Sequence, residues 1–280
     1  MLKKLLKYDL RATFKYWWIA AVSSLGLAVL CGIALNVLSM PETEENVFLT
    51  LFSILAIVLT VIGVSAFIVS AEIFIYVRFY QNFFSDEGYL TFTLPVKRHQ
   101  LLNSKLISAI LITASTLAVV AIDAAIVMLI HFGPEFFTGE FWGYIGNLFG
   151  VVIDGAFEEL GAYAYIYLIE IIVILAASVL FSTLLVFTCI TVAATITKKN
   201  KVFAAIGIYY LVNAAMSFIS QLITTVGLVG ISPTLEKISQ QALMPLAALV
   251  LLVLGAIVVA ACIAIYTLVH WLLDRKLNLA

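Results

Sequence analysis

The sequence predicts an all-α integral membrane protein with six transmembrane helices, an N-terminal interfacial amphipathic helix and a short cytosolic helix between spans two and three. Three observations carry this expectation. The chain has 280 residues, is 64% hydrophobic and is only 11% charged, whereas soluble domains carry roughly 25% charged residues. Six apolar stretches reach the length of about 20 residues that a bilayer requires. The cations are segregated: 14 of the 15 Lys and Arg residues fall on one side of the resulting topology. A chain this apolar leaves little room for a soluble catalytic domain, and it is read as a single transmembrane domain over 1–280.

The first element covers 1–16. Leu2, Leu6, Leu10, Thr13, Phe14 and Trp17 share one helical face, and Lys4, Lys7, Arg11 and Lys15 lie opposite. A regular apolar stripe opposed by cations predicts a helix lying along the inner membrane surface and running into the first span. Trp17 and Trp18 sit where aromatic belts form. No small-x-small cleavage site follows the apolar run, so Met1 is expected to stay in the mature chain.

The spans are read as Trp17–Leu38, Val47–Val77, Leu101–Phe132, Tyr163–Ile196, Val202–Val229 and Leu243–Leu273. Several exceed the bilayer thickness and must tilt, kink or project. Lys3, Lys4, Lys7, Arg11, Lys15, Arg78, Lys97, Arg98, Lys105, Lys198, Lys199, Lys201, Arg275 and Lys276 share one side, and Lys237 is opposite. The opposite side holds Glu42, Glu44, Glu45, Glu135, Glu140, Asp154, Glu158, Glu159 and Glu236. The positive-inside rule then makes both termini cytosolic.

The connector after span two, SDEGYLTFTLPVKRHQLLNSK over 85–105, is more elaborate than chain reversal needs. Ser85 suits a helix cap, with Asp86 and Glu87 placed against the N-terminal dipole. Gly88 leaves the backbone open to close approach. Tyr89, Leu90 and Phe92 offer a small apolar surface, and Pro95 limits the helix, which is expected over 85–95. Lys97, Arg98 and Lys105 form a basic lead into span three.

The residues GYLTFTLPVKRHQLLNSKL at 88–106 resemble the cytosolic segment between spans two and three of type-two ATP-binding-cassette exporter permeases, of the bacterial peptide and drug export type. The opening MLKKLLKYDLRATFKYW is similar to N-termini of the same family. The resemblance implies a coupling helix that docks on a separate ATPase, with contact at Asp86, Glu87, Gly88, Tyr89, Leu90 and Phe92. It implies two ATPase subunits, a second permease chain (a copy or a sister chain), ATP and Mg bound by the ATPase alone, and a bacterial plasma-membrane location. ATPase closure would pass through Asp86–Phe92 to spans two and three. The exported substrate would be amphipathic or hydrophobic: a membrane-active or antimicrobial peptide, or a drug.

The chain itself has no GxxxxGK[ST] phosphate loop and no HExxH motif. It is therefore expected to be no enzyme, to bind no cofactor or metal, and to leave ATP hydrolysis to its partner. No nucleic-acid partner is expected. Cys31, Cys189 and Cys262 each lie in an apolar run without a CxxC pair, and read as small apolar residues.

Intramembrane carboxylates are functional candidates. Glu72 lies toward the cytosolic end of span two and has Arg78 or a neighbouring helix as partner. Asp123 and Glu170 fall in the outer parts of spans three and four. With Ser182 and Asn213 they are candidates for a substrate path. The many hydroxyl and small residues of spans four and five also suit close packing and interhelical hydrogen bonds. Between spans three and four, residues 133–161 are rich in aromatics and acids and predict an external amphipathic helix. Two other functions stay open: an ion-coupled secondary transporter using Asp123 and Glu170, and a membrane assembly or sensor protein that transports nothing.

Overall fold

Long apolar stretches with few breakers form long helices, because every backbone polar group is then satisfied within its own segment. The computed structural model describes residues 2–40, 46–85, 88, 96–161, 163–197, 200–235 and 240–275. These are 96% helical and contain no strand. The helices are α1 (Leu2–Leu38), α2 (Val47–Phe84), α3 (Arg98–Phe132), α4 (Gly139–Leu160), α5 (Tyr163–Ile196), α6 (Lys201–Leu235) and α7 (Gln240–Arg275), with a 3-10 turn at Gly133–Phe137. Six of them, all but α4, are long and apolar enough to cross a membrane. The chain has the architecture of a multi-pass membrane protein.

α1 runs unbroken for 37 residues, about 55 Å at 1.5 Å per residue. The amphipathic opening at 1–16 thus runs into the first span within one continuous helix, as expected. The reason is local: no Gly or Pro precedes Gly26, so nothing interrupts the hydrogen-bond ladder.

Side chains cap the starts of α2 and α4. Asn46 caps α2 through its Oδ1, which accepts from the Phe48 and Leu49 amides at 3.1 and 3.4 Å. Thr138 caps α4, its Oγ1 accepting from the Phe141 amide at 3.3 Å. Gly133 and Gly161 bracket residues 134–160 with φ of +54° and +56°. Only glycine takes this left-handed conformation cheaply, and it stops the preceding helix. Between them Phe136 touches Phe141 and Trp142 with ring centroids 5.5 and 5.3 Å apart.

The chain divides into two units: 1–82 with 103–151, and 83–102 with 152–280. In the first, α1 buries Thr13, Trp17, Ala21, Ser24, Ala28 and Cys31. From Trp17 onward these alternate in steps of four and three, the spacing of a helix–helix seam. α3 answers with Lys105, Ala109, Ile112, Thr116 and Asp123. The two helices are tied by Trp17 Nε1 donating to Thr116 Oγ1 at 2.9 Å and Asn36 Nδ2 donating to Ile130 O at 2.7 Å. α2 joins through Thr60 Oγ1, which donates to Leu27 O at 3.0 Å. Small residues make this approach possible. A Cβ on Gly32 would stand 2.7 Å from Ile130 Cβ.

In the second unit α5 packs on both α6 and α7. Its buried residues include Ala177, Thr183, Phe187, Thr191 and Ala193. Tyr167 donates its hydroxyl to Met244 O at 2.7 Å, joining α5 to the start of α7.

Candidate functional site

The connector between α2 and α3 is the element that the sequence singles out. Of its expected docking residues, Asp86, Glu87, Tyr89, Leu90 and Phe92 lie outside the described residues, as does most of the helix expected at 85–95. Gly88 is described. It is buried, and its amide donates to Ser85 O at 2.8 Å. A Cβ here would meet the Phe83 carbonyl oxygen at 2.8 Å. Backbone cannot yield as a side-chain tip can, so the close approach requires glycine.

Both ends of the connector are anchored inside the second unit. Phe83, Phe84, Leu101 and Leu102 are buried, as are Val269, Leu272 and Leu273 of α7. Lys201 Nζ donates to the Phe84 carbonyl at 3.3 Å. Arg98 donates to the Leu273 carbonyl, and its guanidinium lies 3.5 Å from the Asp274 carboxylate. His270 Nδ1 lies 3.2 Å from the other oxygen of Asp274, one helical turn back. The Arg98–Asp274 pair is about two-fifths exposed on each side, so its Coulomb attraction contributes at most about 1 kcal/mol. Apolar burial does most of the holding, and the polar contacts set direction.

The expected basic lead of Lys97, Arg98 and Lys105 does not form one cluster. Lys97 is exposed. Arg98 belongs to the second unit and Lys105 to the first. Two turns of α3 separate these cations, about 10 Å, and each has its own acid. Lys105 is buried and forms an ion pair with Asp9 of α1, whose second oxygen accepts from Ser104 at 3.0 Å. The cation expected to serve the connector therefore ties α3 to α1.

The expected substrate-path residues fall in different units. Asp123 belongs to the first unit, and Glu170, Ser182 and Asn213 to the second. Asp123 is buried in the α1–α3 seam in reach of Ser24, and neither of its oxygens has a hydrogen-bond partner within the standard distance and angle. Glu170 is half-buried, with Oε2 lacking a partner. Ser182 is exposed and donates to Val179 O of its own helix at 3.0 Å. Asn213 likewise donates to Tyr209 O at 2.9 Å. The interhelical bonds expected of these two are replaced by bonds to the preceding turn, the usual outlet for such groups in a helix. Glu72 accepts from Thr113 of α3 at 3.4 Å, so a neighbouring helix supplies a partner. Among the described residues no three His, Cys, Asp or Glu side chains gather as a metal-binding group.

No family model, curated protein or solved structure matches the chain. Its function must be argued from its own residues.

Sequence reasoning missed Asp9, Asp274 and the Phe84 carbonyl. Asp9 left a signal. Leu2, Leu6, Asp9 and Thr13 advance by four, three and four, which puts an acid on the apolar stripe. A charge at such a position needs a buried partner. Asp274 left none, because an acid near a helix end beside cations looks solvated.

Proposed function

We propose that this chain is the permease subunit of an ATP-driven exporter of the ATP-binding-cassette type, moving an amphipathic or hydrophobic substrate out of a bacterial cell. The observation that carries this reading is the connector sequence GYLTFTLPVKRHQLLNSKL at 88–106. An acidic cap, a glycine, a small apolar surface and a basic lead suit a compact, orientable docking element. Segregation of 14 of 15 cations supports a cytosolic position for that element and both termini. The chain carries no phosphate loop, so a separate ATPase supplies the energy. Two copies of each subunit make the natural assembly, since closed symmetric dimers are the commonest solution. Peptides and drugs with apolar surface fit the aromatic 133–161 segment, where Trp142 and Phe149 are exposed.

The test is co-purification with an ATP-binding-cassette ATPase encoded beside this chain, using the Tyr89→Ala, Leu90→Ala double variant. The variant is expected to lose complex formation and permease-dependent ATP hydrolysis while still inserting in the membrane. Survival of both would remove the coupling assignment.

One observation favours a second reading. Asp123 is a buried carboxylate in reach of Ser24 whose oxygens meet no hydrogen-bond partner within the standard distance and angle among the described residues, as an ion-coupled transporter would use. Proton-driven uptake in vesicles that lack any ATPase would favour it over the first.

A further inference from the structure

Arg98 is the first residue of α3 and Lys201 the first of α6. A cation is unfavourable there, because the N-terminal end of a helix dipole is positive. Each cation is turned instead to the C-terminal end of a different helix. Lys201 donates to the carbonyl of Phe84, the last residue of α2, at 3.3 Å. Arg98 donates to the carbonyl of Leu273, in the last turn of α7. Terminal carbonyls lack intrahelical donors and carry the negative end of the dipole, so these are places where a cation is stabilising. Asp274, unfavourable at the end of α7 for the same reason, is offset by Arg98 at 3.5 Å. The two bonds close chain separations of 117 and 175 residues. They bracket the connector, one at its entry and one at its exit, and residues 83–102 cluster with 152–280 and not with the rest of α2 and α3.

We propose that Lys201, Arg98 and Asp274 are positioning residues that seat both ends of the connector on α6 and α7, so that a partner gripping the connector moves these C-terminal helices directly. The partner rests on the exporter reading; the seating does not.

The test uses the full chain in lipid nanodiscs and has two arms. In the first, amide hydrogen exchange is followed in peptides covering 83–97. Asp274→Asn and Lys201→Gln lie far away in sequence, yet each is expected to speed exchange there about three- to fivefold, the range that a partly exposed pair can supply. Lys97→Gln, at an exposed cation inside the connector, is expected to change it less than twofold. Unchanged exchange in both distant variants overturns the proposal. In the second arm the ATPase is added. Arg98→Gln is expected to retain the complex but lower permease-dependent ATP hydrolysis at least fivefold, with Arg98→Lys restoring part of it. Loss of binding and hydrolysis in equal proportion would mean a purely structural role and would overturn the positioning claim. If the ATPase fails to bind the unaltered protein, the exporter reading falls and the exchange arm alone decides the seating.

Discussion

Replacing Lys105 by Met is expected to cost far more than the loss of a surface ion pair. The Lys105 side chain is 9% exposed and that of Asp9 17%. Met keeps most of the volume and all of the apolar stem, so packing changes little. What changes is that Asp9 retains only the Ser104 hydroxyl, at 3.0 Å. Stranding one member of a buried pair costs about 3–5 kcal/mol. Residual exposure and the remaining hydrogen bond bring the expected loss to about 2–4 kcal/mol, or a factor of roughly 30 to 700 in the folding equilibrium. Asp9→Leu alone removes the acid paired with the buried cation and is expected to destabilise as well. The Asp9→Leu, Lys105→Met double variant removes both charges, and is expected to lie within about 1 kcal/mol of the unaltered protein, because an apolar pair avoids the desolvation cost of two ions. The double-mutant cycle then gives a coupling of about 3 kcal/mol or more. Reversible denaturation in mixed detergent micelles measures it, followed in a background where Trp18, Trp142 and Trp271 are replaced by Phe, so that Trp17, whose indole bonds Thr116 in the same α1–α3 seam, is the local probe. A Lys105→Met cost below about 1 kcal/mol, the range of exposed pairs, would refute the reasoning. So would a double variant whose cost equals the sum of the singles.

Two further outcomes follow from the same seam. Gly32→Ala brings a Cβ to 2.7 Å from the Ile130 stem, which cannot swing aside, and is expected to destabilise by about 1–3 kcal/mol; Gly26→Ala, with nothing within 4 Å of the new methyl, is expected to be neutral or stabilising by up to about 1 kcal/mol, and equal melting temperatures for the two would contradict the packing described. Asp123→Asn removes an ionisable group whose oxygens lack hydrogen-bond partners among the described residues, so thermal stability is expected to hold or rise, and a loss above about 1 kcal/mol would show that the carboxylate has a partner it needs.

Much of the architecture was legible in the chain because hydrophobic length is a one-dimensional property. Six apolar runs of the right length became six long helices with only their ends displaced. The helix at 139–160 was readable from its aromatic spacing and from the glycines that bracket it. The continuity of α1 was also written there, in the absence of Gly or Pro before Gly26. Expected sites fared differently. Lys97, Arg98 and Lys105 read as one basic lead because they are near in sequence, yet Arg98 faces α7 and Lys105 faces α1.

Membrane class and cation segregation follow from composition and order alone, since transfer into lipid is paid residue by residue and a helix satisfies its own backbone. Partner choice does not follow. Lys105 finding Asp9 and Arg98 finding Asp274 depend on which helix ends and faces come together across about 100 and 175 residues of chain. A cation at a helix N-terminus is locally a misplaced charge, and only the tertiary structure turned it into the cap of another helix.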